Sequence, residues 1–412
     1  MAKRFLNTKT KEVYLGNNVV EKLNELLQNH IPYQKVMVVT STSFISKNKD
    51  YYENLVKQLK NPNVEHVITG KINANKKSAA KFLGAVAEEI AAIIVLGTSQ
   101  IIELVKVVSY IKEIPYVIVP SEKFEPQHLC KIAKLKVDDL MQFYHVNAPL
   151  AVLLEQSFMV AQNKAALMYT FCNMIVVSMQ LLDEFLVNVS KGNTLFSKHY
   201  SALKQIIYDT LSLQNQLYNF SEKAILTLMK QSLKMGLILQ SLNLKNMDSA
   251  TLSSSAFFKL KQNDKIPFFY YKVIHSLFLV NIYESFILNL RLNNFFSVNI
   301  KERLKVSEQL FSSKTPKVNL IKNIEGSEYL KLSSYQIKEY ETEILNEIKE
   351  TKEILQSAYT VLKRMNLPLS YYAEKTTNTD DIKKAICLAP DLSASDNFLK
   401  VMCQFGVLDY GF

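Results

Sequence analysis

The stretch VLGTSQIIELVK, Val95 to Lys106, follows an apolar run and opens what reads as a helix. In that setting the first backbone N–H groups of a helix can cradle a phosphate. The turn holds one glycine, Gly97, followed by Thr98, Ser99 and Gln100. Glycines there let the chain approach a pyrophosphate with no Cβ in the way; Thr98 and Ser99 introduce Cβ atoms but add hydroxyls able to donate. A second group with chemical capacity is PSEKFEPQHLC, where Lys123, Glu125 and His128 bring a cation, an acid and an imidazole close together in sequence. Such groups move protons or meet phosphates. His275 stands in an apolar run, and Asp183–Glu184 is a carboxylate pair in another, where burial raises a carboxyl pKa toward the range of a general acid. GxSxG, HExxH and Walker GxxxxGK[ST] motifs are absent, which sets aside the chemistries they carry.

The elements that must position these groups are legible in the first 150 residues. EVYLG, KVMVVTS, NVEHVITG, AAIIVLG and IPYVIVPS read as strands. They alternate with helical segments in NVVEKLNELLQNH, DYYENLVKQLK, SAAKFLGAVAEEI and SQIIELVKVVSYIK. Continuous β-branched runs mark strands covered on both faces, so the alternation predicts βαβ units and an open parallel sheet. Ligands on such sheets bind beyond the carboxyl ends of the strands, here Thr40–Ser43, Gly97–Gln100 and Ser121–Pro126. From about Ser157 onward only helical periodicity is evident, with SSYQIKEYETEILNEIKETKEILQSAYTVLKRM as a long amphipathic helix. The expected architecture is an α/β nucleotide-binding-type domain with a Rossmann-like parallel sheet over 1–155, then an all-helical domain over 156–412.

In this order, strand by strand, the chain resembles the superfamily of iron-dependent alcohol dehydrogenases, glycerol and glycerol-1-phosphate dehydrogenases, and dehydroquinate synthases. VYLGNNVVEKLNELLQNHIPYQKVMVVTS looks like the family opening, and VLGTSQIIELVKVVSYIKEIPYVIVPS like the GGGSxxDxxK turn with its helix and following strand. NAPLAVLLEQ resembles the lead into the metal-binding helix, and MNLPLSYYAEKTTNTDDIKKAICLA the C-terminal stretch. By this register Lys106 falls on the motif lysine, Glu103 on its aspartate and Gln100 on its serine, and Gly97, Thr98 and Ser99 on its glycines. The resemblance implies NAD(P) at Gly97, Thr98, Ser99, Gln100, Thr40 and Ser121, if any cofactor is bound. It also implies a divalent ion held by one acid and two histidines. Leu167 then stands where that helix has a glycine, Thr170 where it has the acid, and Asn173 where the synthases have a lysine. No histidine occurs from Tyr200 to Ile274, and DSATLSSSAFF offers hydroxyls only near the first histidine position. One imidazole, His275, does not make a zinc or iron site, which needs three or more protein ligands, so no metal is expected. Family members also place an aspartate near Pro126, for which the adjacent Glu125 is a substitute.

Composition bounds the rest. At 412 residues the chain exceeds one ordinary core; 48% hydrophobic and 21% charged residues make it globular, and 9 Gly with 10 Pro favour long helices. The net charge of +11 comes from dispersed lysines without a dense basic run, so nucleic acid is not an expected partner. Four cysteines without CxxC spacing fit buried thiols of a reducing cytoplasm, and MAKRFLNTKTKEVYLG has no apolar core of a signal peptide. Ala165–Val187 and Phe268–Leu290 are long enough to cross a bilayer but carry polar interruptions, and are expected as buried core helices. Two functions from different classes follow. One is a degenerate family member, a pseudoenzyme without the metal, that binds or scaffolds a partner and keeps a nucleotide-sized interdomain cleft. The other is a divergent NAD(P)-dependent oxidoreductase acting on a small polyol or alcohol without the metal, with Glu125, His128 or His275 as proton donor. A homodimer is implied by resemblance.

Overall fold

Strands rich in Val and Ile on both faces must be covered on both faces, and the middle of the N-terminal sheet shows this directly. A computed structural model describes residues 9–70, 73–137, 140–193, 199–242, 268–290, 334–364, 379–392 and 397–404. Its strands β1 (Glu12–Gly16), β2 (Val36–Ser41), β3 (Asn63–Ile68), β4 (Ala92–Gly97), β5 (Tyr116–Pro120) and β8 (Ala151–Glu155) form one sheet in the order β1-β8-β5-β4-β2-β3. Every pairing in it is parallel. β2, β4, β5 and β8 are buried along their whole length, while the edge strands β1 and β3 are half-buried. Register puts Val36, Ala92 and then Val38, Ile94, Val117 and Ala151 side by side. These residues form one core face under α1 (Val19–His30) and α3 (Lys49–Gln58), which contribute Leu23, Leu27 and Leu55.

Helix α5 (Ser99–Lys112) is buried without interruption from Ile101 to Ser109. The remaining N-terminal elements are α2 (Thr42–Lys47), α4 (Lys76–Ala85), a 3-10 turn (Pro126–Leu129), and β6 (Ile132–Val137) paired with β7 (Leu140–His145) as a separate two-stranded sheet. The sequence reading omitted α2, this small sheet and β8. AVLLE is too short and too uniformly apolar for periodicity to separate it from the helix that follows.

Beyond the sheet the described residues are helical, with α6 (Gln156–Val160), α7 (Lys164–Ile175), α8 (Val177–Ser190), α9 (Tyr200–Ser212), α10 (Gln214–Tyr218) and α11 (Glu222–Ser241). Further along come α12 (Phe268–Asn289), α13 (Ser334–Glu339), α14 (Glu341–Arg364), α15 (Thr379–Leu392) and α16 (Phe398–Gln404). The long amphipathic helix expected over 333–365 is thus two helices separated at Tyr340. Lys164–Ser190 is long and apolar enough to cross a membrane, yet 78% of its most apolar window is buried within the fold. It is a core segment. The serine-rich DSATLSSSAFF lies outside the described residues.

The chain divides into two compact units: 1–137 with 141–170 and 219–243, and 138–140 with 171–218 and 244–412. This differs from a single division at 155/156, because α11 packs in the first unit although it follows α7–α10. Its Gly236 allows the contact. A Cβ there would stand 2.7 Å from the Pro126 carbonyl oxygen and 2.6 Å from Leu129 Cδ1. The same helix presents Gln240, which donates to Thr10 Oγ1 and the Leu129 carbonyl and accepts from the Thr10 amide.

Candidate functional site

The chain runs from β2 outward to β3 and then returns to β4 on the other side of β2, so the carboxyl ends of β2 and β4 flank a topological switch point. Thr40 ends one wall and Gly97 with Thr98 the other. The Oγ1 atoms of both threonines are buried and have no hydrogen-bond partner. The neighbouring Ser41 is committed to structure, its Oγ accepting from the Phe44 amide at 3.2 Å as the cap of α2. Ser121, the first residue after β5, donates its amide to the Gly97 carbonyl at 3.1 Å. Gln100 is exposed. Gly97 has a local reason to lack a side chain: a Cβ there would meet Ile101 Cδ1 at 2.7 Å. That contact seats α5 against the strand that precedes it.

Ser99, at the start of α5, does not face solvent with its hydroxyl. It donates to Glu125 Oε1 at 3.1 Å, and the Tyr169 hydroxyl donates to the same oxygen at 2.7 Å. Glu125 is 5% exposed, so a nearly buried carboxylate takes up the hydroxyl of the phosphate-type turn. Lys123 lies 3.4 Å above the Tyr169 ring, a cation–π contact, and burial lowers its pKa. His128 is in the same cluster. Its Nδ1 accepts from the Glu125 amide at 3.3 Å, which places the proton on Nε2, 3.9 Å from Glu125 Oε1. Burial pushes the His128 pKa down to about 3, against the attraction of Glu125, so the ring is neutral and this is no ion pair. Sequence reasoning found Lys123, Glu125 and His128 in one loop and Ser99 apart from them. It missed Tyr169, which sits beside Thr170 on an apolar helix with no motif to mark it.

The two charged residues of the motif register hold the fold. Lys106, fully buried, donates to the carbonyls of Gln127 and Ile132 at 2.9 and 3.0 Å and lies 3.6 Å from Glu103. Glu103 in turn accepts the Lys134 amide at 2.7 Å. Together they fasten the 3-10 turn and β6 to α5.

Thr170 is fully buried and its hydroxyl donates to the Phe124 carbonyl at 3.0 Å, with Ala166 O as a second acceptor at 3.4 Å. In the second unit, Asn173 Oδ1 accepts from Lys272 Nζ at 2.7 Å. His275, on the same helix as Lys272, is fully buried with its pKa pushed down to about 3 by burial. Asp183 and Glu184 do not act as a pair. Asp183 accepts from the Tyr283 hydroxyl at 2.6 Å and the Phe398 amide at 3.3 Å, tying α8, α12 and α16, while Glu184 is half-buried with a pKa raised by desolvation. Among the described residues no three His, Cys, Asp or Glu side chains group so as to hold a metal ion.

A parallel sheet of this order, with a glycine turn into a buried helix, is now matched from outside the chain. Residues 14–162 fit the family model for iron-containing alcohol dehydrogenase. Over this stretch the chain is similar to that family. The fold of the chain agrees with that superfamily. The NADH-dependent butanol dehydrogenase A of Thermotoga maritima superposes with a TM-score of 0.60 at 13% identity, over 98% of this chain and 97% of that one. An archaeal halo-thermophilic alcohol dehydrogenase from a Red Sea brine pool gives 0.59 at 12%, over 94% and 92%. Maleylacetate reductase from Rhizobium sp. strain MTP-10005 gives 0.58 at 10%, over 100% and 99%. No curated protein matches the sequence.

Proposed function

We propose that this chain is a member of the iron-containing alcohol dehydrogenase superfamily that works by binding and not by metal-dependent hydride transfer. The observation that carries the reading is the hydroxyl of Thr170. At the position where the family resemblance expects an acidic ligand, a fully buried threonine spends its proton on the Phe124 carbonyl. A hydroxyl so committed supplies no anionic oxygen to a divalent ion, and the sequence after His199 has the one imidazole of His275. These residues do not fit the family metal. The phosphate-type turn points the same way, since the Ser99 hydroxyl is taken up by Glu125. The reading includes a cytoplasmic protein with a protein partner, a second copy of the chain among the candidates.

A second reading, a divergent NAD(P)-dependent oxidoreductase, has one observation in its favour. The buried hydroxyls of Thr40 and Thr98, without partners, flank the switch point where this class of sheet binds ligands. Thermal denaturation of the purified protein with NAD(H), NADP(H), Zn²⁺ and Fe²⁺, singly and together, separates the two. A ligand held only by the native state at a hundred times its Kd adds about 2.7 kcal/mol, a shift of several degrees. The expected result is no shift with any of them. A dinucleotide-dependent shift establishes the oxidoreductase reading, and a shift with metal alone removes both.

A further inference from the structure

Three donors from separate parts of the first unit converge on a single atom, Oε1 of Glu125. The hydroxyl of Ser99, the first residue of α5, lies 3.1 Å from it, and the Tyr169 hydroxyl on α7 lies 2.7 Å from it. His128 Nε2 stands 3.9 Å from the same oxygen, beyond hydrogen-bond reach. That nitrogen carries the proton of the ring, because Nδ1 accepts from the Glu125 amide, and it is buried without a hydrogen-bond partner. Lys123, over the Tyr169 ring, adds a positive charge that attracts Glu125. Donors grouped around one oxygen, at the start of a helix and beside a cation, are what an oxyanion requires. Here the oxyanion belongs to the chain itself. Glu125 is 5% exposed and His128 1%, whereas Ser99 and Tyr169 are half-buried, so the cluster borders solvent.

We propose that Glu125 is an internal occupant of an anion site at the phosphate-type turn, and that a phosphate group takes its place when the carboxylate is withdrawn. Oε1 stands for one phosphate oxygen and takes the hydrogens of Ser99 and Tyr169. A phosphate has further oxygens with which to meet the His128 Nε2–H that this carboxylate leaves unmet. The contact is autoinhibitory, since a carboxylate in place both fills the site and repels a second anion. It supplies a reason for the silence of the native chain toward dinucleotides, and to that extent it rests on the binding reading above.

The test compares the full native chain with Glu125→Ala by thermal denaturation and calorimetric titration. Inorganic phosphate, pyrophosphate and NADH are separate arms, to ~20 mM against chloride at matched ionic strength. Alanine removes a CH₂–COO⁻ group, comparable in bulk to a phosphate, so the variant itself makes room for the guest. The expected result is no response in the native chain and a saturable rise of the midpoint in Glu125→Ala. The arm that binds most tightly tells a free phosphate from one carried by a nucleotide. Adding Ser99→Ala to Glu125→Ala weakens that binding at least about tenfold, which a mere loosening of the fold would not do. If Glu125→Ala does not fold alone, it is refolded with phosphate, which must restore the native fold where chloride does not. The proposal is overturned if Glu125→Ala answers none of the arms, if it answers no better than the native chain, or if Ser99→Ala leaves its affinity unchanged. The binding reading fails separately, by a shift of the native chain with NADH.

Discussion

The hydroxyl of Thr170 and the imidazoles of His128 and His275 show how much of a site's character lies in what a side chain already holds. Thr170→Val removes the donor but keeps the shape and leaves the Phe124 carbonyl short of a partner in a fully buried place. The expected loss is about 1–2 kcal/mol of stability by urea unfolding, with no change in ligand response. A fall under 0.3 kcal/mol, well below that of a typical buried bond, means the bond carries no structural role. Both histidines have pKa values pushed to about 3 by burial, below the roughly 6.5 of an unfolded chain. Between those values the unfolded state binds protons that the folded state refuses, so stability is full above about pH 6.5 and falls as pH drops toward 3. Unfolding free energies at pH 7 and pH 5 should differ by a slope approaching about one proton per histidine. His128→Gln and His275→Gln should each flatten it, and an unchanged slope in both refutes the assignment. The types and spacing of Glu125, His128 and Ser99 were legible in the sequence; their convergence on one carboxylate with Tyr169 was not. That convergence joins residues 44 apart along the chain, which no local pattern encodes.

At the scale of elements, the strand and helix alternation from β1 to β5 was readable because buried parallel strands announce themselves as β-branched runs. α5 was read with its bounds as the structure has them, Ser99–Lys112, since its apolar stretch is framed by Thr98 and by the left-handed Glu113. β8 and the β6–β7 pair were not readable. The first merges with an apolar helix, and the second owes its place to Glu103 and Lys106 more than to its own pattern. The same is true of α11, whose membership of the first unit depends on Gly236. Gly236→Ala sets a methyl 2.7 Å from the Pro126 carbonyl oxygen, so the helix must retreat. Overpacking of this kind costs about 1–3 kcal/mol despite the better helix propensity of alanine. Thermal denaturation of the variant should show a drop of several degrees; a gain, as propensity alone predicts, contradicts the close packing.

For the molecule as a whole, the net charge of +11 raises the question of polyanions. Some lysines on the described surface are engaged one by one, Lys22 with Glu12 and Glu25, Lys35 with Glu89, Lys204 with Glu347 and Glu350, and Lys352 with Glu284, and the rest add charge without a dense basic run in the sequence. Fluorescence anisotropy with a short labelled duplex should show weak binding at low salt that is lost by about 0.15 M, the signature of charge without a built interface. Saturable binding that survives that salt contradicts it. Composition could bound this behaviour and the fold class, but not the division into units, since α11 returns to the first unit by a contact that no composition records. The clasp between α5 and β6 has a consequence in time. The Lys134 amide proton is held by a carboxylate of another element and not by a neighbouring strand, so its exchange with deuterium waits for Glu103 to let go. That single amide is a clock for the undocking of the small sheet. It runs while the large sheet keeps its own protons, and it reports a motion that neither light scattering nor a melting curve would register.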